Sequence, residues 1–563
     1  MAPLFLITRI CIEFVVLGLF NGPFMNEATR QKRLFQRSPA WWLTAVVILL
    51  VAAVRLRLLN FPLERDEGEY AYAGQLMLQG IPPYQLAYNM KFPGTYGAYA
   101  VIMALFGQTP AGIHLGVLLL TTGTALMLFW LGKSILDEAA GAVAATGYVV
   151  MAASPTMFGL AGHATHFCAF FATAGICLMW LARVRETWFR IAAGGILFGL
   201  AVLMKQHAVV IAAWAGLSYA GGKFIFSKES WHRRLATVGV YGFFMLLPLA
   251  LCCVWLWYAG VFAKFKFWTV DYCRQYATIL TWSDAWIYFV YGIRRALGTG
   301  FLILPFAIAG AWTIWRDPRL ARNRLWMFGF GMASVLSIFP DFYFRRNYFL
   351  LMLPGVALLA GCAVSRLSLP RATKSGMARQ RWPVWIYALA LVVTILTAAK
   401  VWFWLSPVQA SRYVYTADLF AEAEPIAAYI RAHSTPSTGL AVIGSEPELY
   451  FLSRRHSVTG YIYTYGLMEA QPFARKMQLD MIHDIETSWP EYIVYVDTYS
   501  SWVSTPYSNL KIFDWWDAYK TNYTLVAVAD LLPPTNTVYV WGADMVQHYG
   551  GSHGCALQVF QRR

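Results

Sequence analysis

Charge is scarce in this chain. Asp, Glu, Lys and Arg together supply 13% of its 563 residues, about half the roughly 25% of a soluble globular protein. With 58% of residues hydrophobic, too few charged side chains remain to cover one water-soluble globule, so most of the chain is expected in lipid. Acids are scarcer than bases, 29 against 45, for a net charge of +16. An excess of that sign suits nucleic acid, but these cations do not follow a binding face. They gather in short loops between apolar runs, at Arg183 to Arg190, Lys223 to Arg234, Arg316 to Arg324 and Arg366 to Arg381. That is the positive-inside distribution of a polytopic membrane protein, and it sets nucleic acid aside as a partner. Cysteine is also sparse. Cys11, Cys168, Cys177, Cys252, Cys253 and Cys362 lie in apolar runs, where a thiol acts as a small packing group. Cys273 and Cys555 fall in expected external segments and can pair, but two positions make no disulfide scaffold. No internal repeat or low-complexity tract is visible.

Long apolar runs are plentiful. Residues 4–20 are apolar but carry Arg9 and Glu13, and Met25 opens a better start, followed by the basic residues Arg30, Lys32, Arg33 and Arg37. No small-residue cleavage site follows, which argues against a signal peptide. Residues 1–40 therefore read as a cytoplasmic segment. Residues 41–405 read as a transmembrane domain, with apolar segments at about 41–59, 96–107, 111–132, 139–153, 164–182, 191–203, 207–221, 236–258, 297–315, 324–340, 347–365 and 383–405. The first, about 19 residues from Trp41 to Leu59, is close to the roughly 20 that cross a bilayer core. An even count conflicts with basic loops that need residues 406–563 outside. A thirteenth crossing is therefore expected within 139–183, which is broken at Ser154-Pro155. Between residues 259 and 296 an aromatic loop, from Lys264 through Trp268, Trp282 and Trp286, suits the headgroup level.

After residue 405 the composition changes. The pattern predicts helices at 418–433 and 446–454 and strands at 439–444, 492–497, 524–531 and 537–541, a soluble α/β domain on the extracytoplasmic side. The expected fold class is thus a polytopic α-helical protein of the inner (plasma) membrane, with about 12–13 transmembrane helices and a C-terminal soluble α/β domain.

The chemistry concentrates in the external loop 60–95. Arg65-Asp66-Glu67-Gly68-Glu69-Tyr70 begins six residues after the first apolar run, and Lys91 follows in the same loop. Carboxylates this close repel, and one with a raised pKa is suited to accept a proton. The plainer alternative is that these acids cap a short helix. Three further features are candidates for the same membrane face. Arg345-Arg346, with Tyr348 beside them, suit a phosphate near the headgroups, or alternatively anchor helix ends to anionic lipid. His163 and His166, at i and i+3, can help bind a metal or a sugar, or be hydrogen-bonded inside a bundle. Lys205, between two apolar runs, is costly to bury without a partner.

Taken in order, Asp66-Glu67, Ala71, Gln75-Leu76-Met77-Leu78, Lys91-Phe92-Pro93, Lys205-Gln206 and the stretch Arg345 to Pro354 resemble the GT-C integral-membrane glycosyltransferases. The likeness runs from about residue 41 to 405. The most similar branches are the aminoarabinose lipid A transferases, the protein O-mannosyltransferases and the rhizobial lipopolysaccharide sugar transferases. The resemblance implies a polyprenyl-phosphate-linked sugar donor, a glycan, lipid or protein acceptor, and transfer with inversion. It makes Asp66 the general base and Glu67 its acidic neighbour. It places Lys91 on the donor phosphate; by their charge and position Arg345, Arg346 and Tyr348 join it there, and Glu69, His163, His166 and Lys205 are further candidate contacts to substrate or a divalent metal cation. Two positions depart from the pattern: Phe92 replaces a proline, and Thr165-His166 stands where many relatives carry an acid, which weakens a carboxylate metal site there. The rival readings are a transporter or flippase of lipid-linked sugars, whose ionisable groups belong at the midplane on broken helices in inverted repeats, and a non-catalytic polysaccharide-assembly subunit, which would not need the acid loop.

Overall fold

The computed structural model describes residues 39–563 except 228, 374–375, 417, 533–535 and 550–555. The expectations for residues 1–38, including the start at Met25 and its basic run, and for Cys555 lie outside the described residues. Among the described residues, seven helices are long and apolar enough to cross a membrane, and five shorter apolar helices, at Gly94–Phe106, Glu138–Met151, Trp188–Met204, Leu304–Thr313 and Arg324–Leu336, accompany them. Each falls on one of the apolar segments read from the sequence, and the protein is an integral, multi-pass membrane protein. The extra crossing expected within 139–183 is not there. That stretch holds only Glu138–Met151 and Ala164–Val184, joined by the 3₁₀ turn Pro155–Met157.

The chain divides into two compact units. The first comprises residues 39–57, 115–250 and 285–404. At its centre lies the helix Leu353–Leu367, buried from Leu353 through Ser365. Its neighbours approach backbone to backbone: a Cβ at Gly310 would lie 1.9 Å from the Leu359 carbonyl oxygen, and one at Gly361 would lie 2.3 Å from that of Ala140. Small residues at helix crossings permit such contacts, which supply packing where lipid removes the hydrophobic drive. The helix Trp231–Tyr258 sits at the other extreme, with Phe243 and Leu246 exposed, as lipid-facing side chains should be.

Buried irregular backbone needs internal partners, and the largely buried break at 152–163 receives them from far along the chain. The buried Arg55 donates to the carbonyls of Ala152 at 3.0 Å, Gly159 at 2.7 Å and Leu160 at 3.4 Å. Trp402 Nε1 donates to Ala153 O at 3.3 Å, and His166 Nε2 to Ala152 O at 3.1 Å. Arg346 closes the set from Nε to Thr156 O at 2.6 Å and from Nη2 to Pro155 O at 3.2 Å.

The second unit joins residues 58–114 and 251–284 to residues 405–563. Its sheet has the strand order 440–443, 492–496, 557–562, 523–532, 536–541. The first pair is parallel and the others antiparallel. The six C-terminal elements predicted from the sequence are present within a few residues. Leu557–Arg562, near the chain's end, was not foreseen, yet it holds the middle of the sheet. The helices Pro407–Tyr415, Ala474–Ser488 and Lys511–Tyr519 are likewise additional.

The helix Arg65–Leu78 of the acid loop packs within this unit. A Cβ at Gly68 would come within 2.6 Å of Glu448 Cβ and N, so the first turn lies against the helix Glu448–Ser453. Tyr72 stacks on Tyr450 with ring centroids 5.1 Å apart, and its hydroxyl accepts from Ser457 N at 2.8 Å. Residues 60–95 and 405–563 must therefore share one side of the membrane. That requires an even number of crossings between them, where eleven of the twelve apolar helices lie, so those eleven do not each make one full crossing. The ten residues of Leu304–Thr313 measure about 15 Å at 1.5 Å per residue, half of a roughly 30 Å hydrocarbon core.

Candidate active site

The acid loop resolves into a cap and a cluster. Glu64 precedes the helix, and its carboxylate accepts from Glu67 N at 3.0 Å while Glu67 Oε2 accepts from Glu64 N at 3.4 Å. This is a reciprocal capping box. Glu67 is 0% exposed, and its other oxygen meets His114 Nε2 at 3.0 Å, while His114 Nδ1 donates to Leu59 O at 2.8 Å. The capping alternative thus describes Glu64 and Glu67. Burial, with the charges of Asp66 and Glu67, holds the Glu64 carboxyl well above its ordinary range.

Asp66 and Glu69, three residues apart and therefore neighbours on a helix, form the cluster. Lys91 reaches both. Its Nζ donates to Asp66 Oδ1 at 2.7 Å and to Glu69 Oε2 at 2.5 Å. The chain returns to place it through two left-handed residues, Gly80 at φ 84° and Tyr84 at φ 66°; the Tyr84 hydroxyl then donates to the Lys91 carbonyl at 2.6 Å. Glu69 is fully buried, and its second oxygen accepts from the Tyr96 hydroxyl. Asp66 and Lys91 are about a quarter exposed at their side chains, 25% and 23%. Burial keeps the Glu69 carboxyl above its usual range even against the Lys91 ammonium. For Lys91, burial works against the charged form, but Asp66 and Glu69 outweigh it and raise the pKa. Tyr70 flanks the ammonium at 4.6 Å and Tyr463 at 5.6 Å from their ring centroids, a cation–π arrangement.

The other candidates lie in the first unit. Lys205 Nζ sits 3.9 Å above the Tyr348 ring. The His207 ring meets the same tyrosine edge-on at 4.9 Å, with Asp341 Oδ2 3.6 Å from His207 Nε2, an ion-pair contact longer than a hydrogen bond. Burial opposes the ionised form of Asp341, but His207 and Lys205 bring its pKa down to about 2. Arg345 is exposed, its guanidinium 5.7 Å from the Tyr343 ring. Arg346 is the clamp of the 155–156 turn and lies 3.9 Å over the Phe158 ring. His163 Nδ1 accepts from Asn347 Nδ2 at 3.0 Å. His166, which holds Ala152 O, turns the other ring nitrogen into the bundle. The structure therefore groups Asp66, Glu69 and Lys91, groups Lys205 with Tyr348, and commits Glu67, His166 and two Arg346 nitrogens to protein partners. Tyr463, Tyr96 and His114 were missed from the sequence. Tyr96, five residues after Lys91, was legible as a neighbour; Tyr463, nearly four hundred residues away, had no local signal.

No protein-family model matches the chain. Solved structures do. ArnT from Cupriavidus metallidurans, bound to undecaprenyl phosphate, superposes with a TM-score of 0.55 at 18% identity over 93% of this chain and 98% of its own. The same protein in the apo state gives 0.53, at 18% identity over 86% and 95%. The Archaeoglobus fulgidus oligosaccharyltransferase tethered to an acceptor peptide gives 0.50, at 13% identity over 90% of this chain and 74% of its own. A complex of that archaeal enzyme with Zn and sulfate also gives 0.50, at 14% identity over 88% and 72%. The fold of this chain is the one these two proteins share, as the resemblance read from the sequence implied.

Proposed function

We propose that this chain is an inverting glycosyltransferase that moves a sugar from a polyprenyl-phosphate donor to a glycan, lipid or protein acceptor of the cell envelope, on the extracytoplasmic face. The observation that carries this reading is Asp66. It is a partly exposed carboxylate on a capped first helical turn, placed by Lys91 on a GT-C fold. Similarity to a protein solved with undecaprenyl phosphate supports the donor class.

The acceptor hydroxyl gives its proton to Asp66 as its oxygen forms a bond to the anomeric carbon. The carbon–oxygen bond to phosphate breaks on the opposite face, and the bond's electrons leave with the polyprenyl phosphate. Attack opposite to departure inverts the centre without a covalent sugar–enzyme intermediate. Lys91 serves both partners. Two of its three N–H groups hold Asp66 and Glu69, and the third is available to a phosphate oxygen. Arg345, Lys205 and Tyr348 are assigned to the same leaving charge, where fixed positive groups lower the barrier. The acid cluster fits an ammonium: Asp66 and Glu69 already converge on Lys91, so a divalent cation binding these two carboxylates would displace it.

Purified protein incubated with a polyprenyl-phosphate sugar should release free polyprenyl phosphate only when acceptor is present. A flippase would leave the sugar–phosphate bond whole. Sidedness has its own test. In a cysteine-depleted background, a cysteine at the exposed Ser437 should react with a membrane-impermeant thiol reagent in intact cells, and one at the exposed Ser230 should not. Reversed labelling would turn the orientation over.

The two arginines should separate. Arg345→Ala should weaken donor binding by roughly 1.5–3 kcal/mol, the worth of a charge-assisted hydrogen bond, with the melting temperature unchanged. Lysine should restore it only in part, keeping the charge without the bidentate fork. Arg346→Ala should also lower the melting temperature, because the Pro155 and Thr156 carbonyls lose their donor. If donor affinity stays at the wild-type value in the Arg345→Ala/Arg346→Ala double variant, neither arginine belongs to the donor site.

A further inference from the structure

The residues after the last membrane helix form more than an appended module. They reach the acid cluster at two points. Arg65 Nε donates to Ser445 O at 2.5 Å, and its Nη2 to Glu446 Oε1 at 3.0 Å and Asp418 Oδ1 at 3.4 Å. Glu446 is buried and its other oxygen accepts from Ser501 Oγ at 2.7 Å. The residue before Asp66 is thus locked to the C-terminal segment. The second point is Tyr463. Its hydroxyl donates to the Arg65 carbonyl at 3.0 Å and stands 3.5 Å from Asp66 Oδ1. Its ring centroid lies 5.6 Å from the Lys91 ammonium, which the Tyr70 ring flanks at 4.6 Å, so the two rings limit where that ammonium can move. The tyrosine is held from behind as well: Thr464 N donates to Ser445 Oγ at 3.0 Å, and the Tyr465 hydroxyl to Ser500 O at 2.9 Å.

We propose that Tyr463 is a positioning residue for the Asp66–Lys91 pair. Its hydroxyl fixes the first turn that carries the base, and its ring fixes the ammonium that orients the base and receives the phosphate. The inference rests on the glycosyl-transfer reading above. A tyrosine serving only the packing of the C-terminal segment would have no reason to place its hydroxyl within reach of one partner and its ring beside the other.

The two parts of the side chain can be removed separately. Tyr463→Phe keeps the ring and loses the hydroxyl. It should lower kcat about tenfold, leave the donor KM unchanged and melt like the wild type. Tyr463→Leu loses both. It should lower kcat further and raise the donor KM several-fold, because Lys91 is no longer confined. A purely structural role predicts equal kinetic losses in the two variants, each following its melting temperature, and that pattern would overturn the proposal. So would wild-type kcat and KM in both. A second measurement does not depend on turnover. In full-length protein in detergent, the rate at which an amine-reactive ester acylates Lys91, followed by mass spectrometry, should rise several-fold in Tyr463→Leu and stay near wild type in Tyr463→Phe. Equal rates in all three proteins would remove Tyr463 from this role whatever the activity. Altered acylation in a protein that releases no polyprenyl phosphate would instead keep the positioning and sink the transfer reading.

Discussion

Asp66→Asn should abolish sugar transfer while leaving the protein folded and able to bind donor. The expected loss is about 10²–10⁴-fold in turnover, the usual worth of a positioned general base. The geometry says why folding should survive. The helix is capped by Glu64 and Glu67, not by Asp66, and an asparagine oxygen can still accept from Lys91 at the position of Asp66 Oδ1. What the variant lacks is a group that can take the acceptor's proton. Turnover of purified Asp66→Asn at the wild-type rate would end the assignment. Glu67→Gln makes the contrast. Its side chain is buried in the capping box and against His114, and a glutamine oxygen can still accept from Glu64 N, so its effect should appear as a small loss of melting temperature from the altered His114 contact.

Lys91→Met should produce the second large effect, and on two quantities. It removes the only side chain that bridges Asp66 and Glu69 among the described contacts, leaving two carboxylates facing each other, one fully buried. Breaking a buried pair by removing one partner costs about 3–5 kcal/mol; partial exposure of Lys91 and Asp66 places this case toward the lower end. Under the proposed function the same change also removes an ammonium from the donor phosphate. The double variant Lys91→Met/Glu69→Gln tells these apart, because contacting residues are non-additive. Neutralising Glu69 should return most of the melting temperature while donor binding stays weak. Donor binding that recovers together with stability would show that Lys91 only balances carboxylate charge.

The membrane-spanning helices were legible because the property that makes them is local. A run of apolar residues long enough to bury its own backbone hydrogen bonds in lipid is a helix wherever it occurs, and the apolar runs and the apolar helices coincide. That acids of this loop cap a short helix was also open to a local reading, but the residue at the cap itself, Glu64, was identified only in the structure. How many helices cross fully was not legible, because a ten-residue helix such as Leu304–Thr313 depends on its neighbours for its depth.

The roles within the acid loop were decided only in three dimensions. Sequence placed Asp66, Glu67 and Glu69 in one stretch and could not divide them. The helix turns Glu67 toward His114, and Asp66 and Glu69 toward Lys91. The two arginines also look alike in sequence, yet Arg346 is held by the carbonyls of a broken segment 190 residues earlier and Arg345 is exposed. Tyr463 is the clearest case, 397 residues from Asp66. Chain composition alone determined a basic, multi-pass membrane protein with one acid-rich loop. Which of its acids stays partly exposed was decided by the tertiary structure, because burial and pairing depend on groups that meet only after the chain has folded.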